Sequence, residues 1–489
     1  MRLTHVFARR RSGQRVIRAF TASLRVIGME LSSDNDLPPE GGVPIFWAYN
    51  QRKMYGFHPW RAMQERYIQT TSAIMTGGKN MGKTASALLL MFVTGMLDMG
   101  NGNRARMIYD NMRTNDNVEN EDEELLRVYG KDGVRIKVRE AKINPYDYRL
   151  GLSPSQMLRW TIAMIHDLSD ATFDEFEINI LGQLIRRMVN ETRDATAGVT
   201  LACPSLLVQM AEEFETQDYI DNIKVGRHNL LKMLGRKNKA SKIILGNVLK
   251  SEDSWESRIA IAQHPELVTL AAARLAAKLR ANLLEGNAGE IFGDEGSLAE
   301  MMGDYLYVSQ DLTGLDDALA SAYHYLSRLY ITAANRFDII VQDETSKSWR
   351  FTSWAAAEHD EEWQIRETSP FKIRLIQELS LLETSADANT RQYHMAMNSF
   401  KGAGIHFIFG GQSEAAYRFL GEMLQISALD IKWLIDRKVT DAGAFGLKPR
   451  YGAFVKSQTT IMTDFEKKLI SSNRAVRRRL GRRSSQLAA

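Results

Sequence analysis

The segment GGKNMGKT at residues 77–84 satisfies the pattern G-x-x-x-x-G-K-[ST]. In that spacing backbone N–H groups cradle phosphates, the lysine reaches the terminal phosphates and the hydroxyl ligates magnesium. Gly77, Gly78, Lys79, Asn80, Met81 and Gly82 make the loop, and the other two roles fall to Lys83 and Thr84. The same string also arises as a chance Gly-rich turn, and context separates the two readings. Here an apolar strand at residues 72–75 leads into the loop and a helix containing ALLLMFV leads out of it, as phosphate binding requires. Many such loops carry a further glycine where this chain has Asn80, a residue that tolerates left-handed backbone at modest cost. The expected ligands are ATP and Mg2+. The expected fold is an α/β P-loop NTPase of the RecA-like kind, with a mostly parallel sheet flanked by helices.

Outward from the loop, a second strand at residues 106–109 ends at Asp110, and VRIKV at residues 134–138 alternates like another. From residue 153 to 335 helical periodicity takes over, at residues 157–165, 173–189, 206–214, 267–284 and 317–334. Pro204 opens one of these helices and Gly286 follows another. The pattern predicts an all-helical subdomain inserted into the sheet. Strand-like runs return at residues 337–341 and 405–409, in the manner of central parallel strands, and residues 451–455 and 459–462 read as a terminal hairpin. The expected division is a basic amino-terminal segment and linker over 1–67, a first part of the core over 68–150, the helical insertion over 151–335, a second part of the core over 336–465 and a basic tail over 466–489.

A phosphate loop needs a partner strand ending in a carboxylate that orients magnesium, followed by a base for the attacking water. FDIIVQDE supplies both: Asp343 as the magnesium partner and Glu344 to activate or orient water. An apolar run ending in two acids can also be merely a strand meeting solvent. Gln412, at the end of IHFIFGG, stands where it could sense the γ-phosphate or position water, or is an ordinary loop glutamine. Arg391 precedes that strand and could neutralise transition-state charge in its own or a neighbouring subunit, or form a surface salt bridge. The histidines, His166, His324 and His359 among them, show no ligand spacing and read as structural.

Composition bounds the rest. A chain of 489 residues suggests about three units at roughly 150 residues each. Hydrophobic residues at 44% and charged residues at 25% are those of a folded soluble protein. The net charge of +4 is too small to argue for nucleic acid, but arginines cluster at both ends, where they could touch the phosphates of DNA or of lipid. The single cysteine, Cys203, excludes an intramolecular disulfide and fits a reducing cytoplasm. The longest apolar run, residues 85–97, falls short of a membrane span. Near the start, Val16, Ile17, Phe20, Leu24 and Ile27 recur at helical spacing opposite arginines, either as a surface-lying membrane helix or as a docking helix.

The chain at this point resembles the HerA and FtsK superfamily and, within it, the conjugative-transfer ATPases of type IV secretion systems of the VirB and TraC kind. The resemblance covers about residues 68–465 and rests on the order GGKNMGKT, MIYD, KINPYD, LLEGNAGEIFGDEG, DLTGL, IIVQDE and GGQ. INPYD looks like the segment that precedes the family's helical subdomain, and EGNAGEIFG like its way out. The resemblance implies a homo-oligomeric ring, a hexamer, with ATP bound between neighbours and hydrolysis energising substrate export or apparatus assembly. It also implies partners among secretion or conjugation machinery proteins, and a cytoplasmic place at the inner face of the bacterial cell membrane, as a peripheral protein. Two other readings compete with the secretion motor: a DNA-translocating coupling protein or FtsK- and HerA-like pump, and an ATP-binding scaffold with negligible hydrolysis.

Overall fold

The computed structural model describes residues 37–39, 41–49, 51–96, 105–111, 122–147, 150, 152–194, 202–216, 221, 264–295, 303, 305–312, 314–333, 337–345, 349, 351, 370–377, 379, 391–437 and 441–460. The chain forms two compact units, one made of Met1–Ala141 with Leu298–Ala489 and the other of Lys142–Ser297.

The first unit is built on one 11-stranded sheet. In chain order its strands are β1 (Pro44–Ala48), β2 (Lys53–Gly56), β3 (Ser72–Thr76), β4 (Met107–Asn111), β5 (Gly133–Lys137), β6 (Tyr307–Asp311), β7 (Ile339–Asp343), β8 (Phe371–Ile376), β9 (Ile405–Phe409), β10 (Ala444–Pro449) and β11 (Val455–Thr459). Across the sheet the order is β2-β1-β11-β10-β9-β3-β8-β7-β4-β6-β5. Every pairing from β9 to β5 is parallel. Every pairing from β9 to β2 is antiparallel. Parallel strands need helical crossovers, which cover both faces and bury every side chain of a central strand. One face packs Met75, Val341, Ile373 and Phe407 under the helix Lys83–Gly95. The other packs Ile74, Ile376 and Ile408 against Phe400 and Tyr417.

That second face also carries a buried polar row. Asp110, Gln310, Gln342 and Arg374 are register partners on β4, β6, β7 and β8, so their side chains stand side by side. The helix Asp317–Ala333 supplies their partners: His324 pairs with Asp110 and lies 3.1 Å from the Gln342 amide, and Ser327 donates to Gln310 at 3.2 Å. Arg374 donates to Gln342 at 3.3 Å and to Ser399 of the helix Arg391–Gly402. Buried polar groups are tolerable when hydrogen-bonded, and two covering helices supply partners to this row, with the Gln310 amide nitrogen left without one among the described residues.

Four readings of the sequence are changed here. Residues 42–57, expected as linker, form the sheet edge: Phe46 is fully buried among Tyr55, Phe407 and Phe445. A five-residue strand is too short to show periodicity, and its partner β11 lies at the far end of the sequence. The segment 305–333, expected in the helical insertion, contributes β6 and a covering helix to the sheet unit. The terminal hairpin is β10 with β11, one strand earlier than expected, and Tyr451 lies in its turn, mostly exposed. In that hairpin Gly446 carries the Phe454 ring where a side chain would stand. Finally, β8 lies between the strand-like runs at residues 337–341 and 405–409, where the sequence reading places no strand.

The second unit is helical, with helices Pro154–Ser169, Glu175–Asp194, Pro204–Glu212 and Pro265–Leu279. Local chemistry starts each of them. Ser153 and Gln156 form a capping box, Asp174 and Glu177 exchange reciprocal bonds of 2.9 Å, and prolines open the first, third and fourth. Glu177, 1% exposed, also accepts from Lys278 at 2.7 Å, which ties the second helix to the fourth. The two segments singled out at the unit's ends meet: Ile143 N donates to Ile291 O at 2.9 Å, Gly293 N donates to Ile143 O at 3.1 Å, and the Asn144 amide donates to the carbonyls of Ala202 and Asp294.

The expected helix of residues 16–27, the arginine-rich ends, the tail 466–489 and His359 lie outside the described residues. Among the described residues no helix is long and apolar enough to cross a membrane.

Candidate functional site

The phosphate loop leaves the carboxyl end of β3, between β9 and β8. Its backbone departs from ordinary space at three positions: Gly77 (φ 155°), Asn80 (φ 63°) and Gly82 (φ 90°). Asparagine thus holds the left-handed conformation expected of it. Close approach fixes the other glycines. A side chain on Gly78 would stand 2.1 Å from the Gly411 carbonyl oxygen, and one on Gly77 would stand 2.5 Å from Phe409 Cβ. Gly78 N donates to Gly410 O at 2.8 Å and Gly443 N to Met81 O at 2.9 Å, so the loop is gripped by the segments that follow β9 and precede β10. Met81 is buried and anchors the loop, while Lys79 and Asn80 are exposed.

The helix Lys83–Gly95 begins at Gly82 without a side-chain cap. Its first N–H groups and its positive dipole end therefore meet whatever occupies the loop, which favours an anion. Lys83 is 6% exposed, and its Nζ donates to Gly77 O at 2.6 Å and Gly78 O at 2.8 Å, which places the ammonium inside the loop's curve. Thr84, half-buried, follows it on the first turn.

The carboxylate pair stands two strands away, at the end of β7, with β8 between. The helix Lys83–Gly95 packs on β3, β8 and β7 together and holds the loop and the pair on one platform. Asp343 is 3% exposed. Its Oδ1 accepts from Glu344 N at 3.0 Å and its Oδ2 from the Tyr109 hydroxyl at 3.0 Å. Glu344 is half-buried, and its φ of 54° lies in the left-handed region, strained for a residue with a side chain.

Gln412 lies on the other flank of the loop. Its Nε2 donates to the Gln377 carbonyl at 2.6 Å, and its N–H to the Tyr417 hydroxyl at 3.1 Å. Burial pushes the Tyr417 phenol up to about 12, so it keeps its proton and donates in turn to Phe409 O at 2.9 Å. Gln377, directly after β8, is the residue that the sequence reading missed: it stands between the loop strand and the carboxylate strand, bridged to Gln412 through its carbonyl. The only sequence signal for it is the apolar alternation of FKIRLI, which two charges obscure. Arg391 is the first residue of the helix Arg391–Gly402, which precedes β9; its side chain lies outside the described residues.

The donor set fits a magnesium nucleotide. A hydroxyl at Thr84 and a carboxylate at Asp343 are hard oxygen donors, and Mg2+ is ordinarily held by one or two such groups plus substrate phosphates. The group, when bound, would neutralise charge on the transferring phosphate.

Among solved structures, the chain is similar in fold to VirB4 of Thermoanaerobacter pseudethanolicus, with a TM-score of 0.58 at 15% identity, covering 88% of this chain and 99% of that one. A weaker likeness is to the bacterial conjugative coupling protein TrwB, with a TM-score of 0.43 at 12% identity for the form with sulphate, covering 81% of this chain and 87% of that one. The TrwB complex with ADP and Mg2+ gives a TM-score of 0.40 at 13% identity, covering 80% and 86%. No family model matches the sequence, and no curated protein matches it. The likeness to VirB4 is one of architecture: a large mixed sheet flanked by helices, in the P-loop manner expected from GGKNMGKT.

Proposed function

We propose that this chain is an ATP-hydrolysing motor of a conjugative or type IV secretion system, energising substrate export or assembly of the apparatus. The observation that carries the reading is the phosphate loop at residues 77–84 held on one helix with the Asp343–Glu344 pair, in a chain whose fold matches VirB4 over most of both lengths. Gly77, Gly78, Lys79, Asn80, Met81 and Gly82 wrap the phosphates of ATP, Lys83 neutralises them, and Thr84 with Asp343 holds Mg2+. Glu344 orients the attacking water. Gln412 and Gln377, joined at 2.6 Å, carry the state of the γ-phosphate from the loop's flank to the strand between the two halves of the site. Arg391 serves a neighbouring copy in a six-membered ring. The ring works on the cytoplasmic face of the inner membrane with other machinery proteins, and the arginine-rich ends are the parts suited to DNA or lipid phosphates.

The test is phosphate release from ATP, with and without DNA, by the wild type, Lys83→Ala and Glu344→Gln. The reading expects turnover lost in both variants, with ATP binding kept in Glu344→Gln. Indifference to DNA supports the secretion motor, and strong stimulation by DNA would transfer the proposal to a DNA pump. A wild type that binds ATP and releases no phosphate under any of these conditions, as a purified ring, would overturn the motor in favour of a scaffold.

A further inference from the structure

A buried tyrosine hydroxyl must be hydrogen-bonded to be worth its desolvation. Tyr109 is 1% exposed, and its ring lies in the apolar cluster beneath the helix Lys83–Gly95, where a phenylalanine would pack equally well. Its hydroxyl instead donates to Asp343 Oδ2 at 3.0 Å. The register explains the reach. Tyr109 pairs with Val341, and Asp343 is two residues further along β7 on the same face, a diagonal that an aromatic side chain spans. The Glu344 N–H takes Asp343 Oδ1 at 3.0 Å, so each oxygen accepts a donor, one from the middle of β4 and one from the residue that follows β7.

We propose that Tyr109 is the positioning residue for the metal-binding carboxylate: it fixes the plane of Asp343 so that the group addresses Mg2+ at the loop. This rests on the reading of Asp343 given above and adds the residue that orients it. A carboxylate offers about four acceptor directions, and a donor held in place on each oxygen restricts how the group can turn. Mg2+ demands near-ideal octahedral geometry, so a carboxylate free to rotate binds it less well, and a hydrogen bond to an ionised group is worth on the order of tenfold in equilibrium terms.

The experiment counts free Mn2+ by its electron paramagnetic signal while wild type, Tyr109→Phe, Asp343→Asn and the double variant are titrated in the presence of ADP, with Mg2+ added as competitor. Tyr109→Phe removes one oxygen from a ring that stays packed, and its melting curve checks the fold. The expected result is metal binding weakened about tenfold in Tyr109→Phe, more for Mg2+ than for Mn2+, and a double variant no weaker than Asp343→Asn alone. Wild-type affinity in Tyr109→Phe, or losses that add in the double variant, would overturn the proposal while leaving the metal site standing. Absence of metal binding by the wild type, or an Asp343→Asn variant that binds as the wild type does, would instead remove the parent reading and this proposal with it.

Discussion

His406 sits in the middle of β9 with its ring against Phe400, 4.8 Å between centroids, and neither ring nitrogen has a hydrogen-bond partner among the described residues. Burial, with Lys448 and Arg450 adding to it, lowers its pKa from the ordinary 6.5 to about 3. Because the folded value lies below the unfolded one, the unfolded chain binds more protons between those pH values. Stability is therefore complete above 6.5 and falls as pH drops through the window, by about 1.4 kcal/mol per unit. At pH 5 the loss due to this one ring is about 2 kcal/mol. His406→Leu removes the titration and also removes two buried polar atoms, so the variant should be at least as stable as the wild type at pH 7.5 and should gain about 2 kcal/mol on it by pH 5. Urea unfolding followed by tryptophan fluorescence at pH 7.5, 6 and 5 measures the difference directly, with contributions from other titrating groups cancelling between the two proteins. A wild-type-minus-variant difference that does not change with pH would refute the assignment of a neutral, solvent-excluded His406.

Three further outcomes are expected. Gly78→Ala puts a methyl 2.1 Å from the Gly411 carbonyl oxygen, so backbone must shift, and it should abolish ADP binding, measured by calorimetry, and lower the melting point. Glu344→Gly relieves a left-handed side-chain residue and should raise stability by about 1 kcal/mol while phosphate release is lost; Glu344→Gln, which keeps the strain, should show the second effect without the first. Glu177→Ala removes the buried carboxylate that Lys278 reaches at 2.7 Å and breaks the reciprocal cap with Asp174, and should cost about 2 kcal/mol, read as faster hydrogen exchange across Glu175–Asp194.

The loop, its strand and its helix were legible because each signal is local: a fixed spacing of glycines and a lysine between two apolar runs. β7 and β9 were legible because most of their residues are apolar. The strands that escaped notice did so for reasons visible in the sheet. β8 carries Lys372 and Arg374, and β6 carries Ser309 and Gln310, so neither reads as a buried strand. Gln310 and Arg374 are buried because they stand in one register row with Asp110 and Gln342, beneath the helix Asp317–Ala333. That compensation is long-range and leaves no local trace. Gln377 went unread with β8, since its place between the loop and the carboxylates follows from strand order alone.

The antiparallel edge has a consequence for how the protein is made. β1 pairs with β11 through Trp47 and Gln458, and Thr460 N bonds Ile45 O at 2.8 Å, so two neighbouring strands of that edge come from opposite ends of the described chain. At a ribosomal rate of roughly 5–20 residues per second, the hairpin of β1 and β2 emerges about 20–80 seconds before its partner exists. Through that interval the apolar side chains of Ile45 and Phe46 have no sheet to enter. Completion of the sheet is thus a late, non-local event, and the nascent chain offers a chaperone a defined apolar edge for as long as translation lasts.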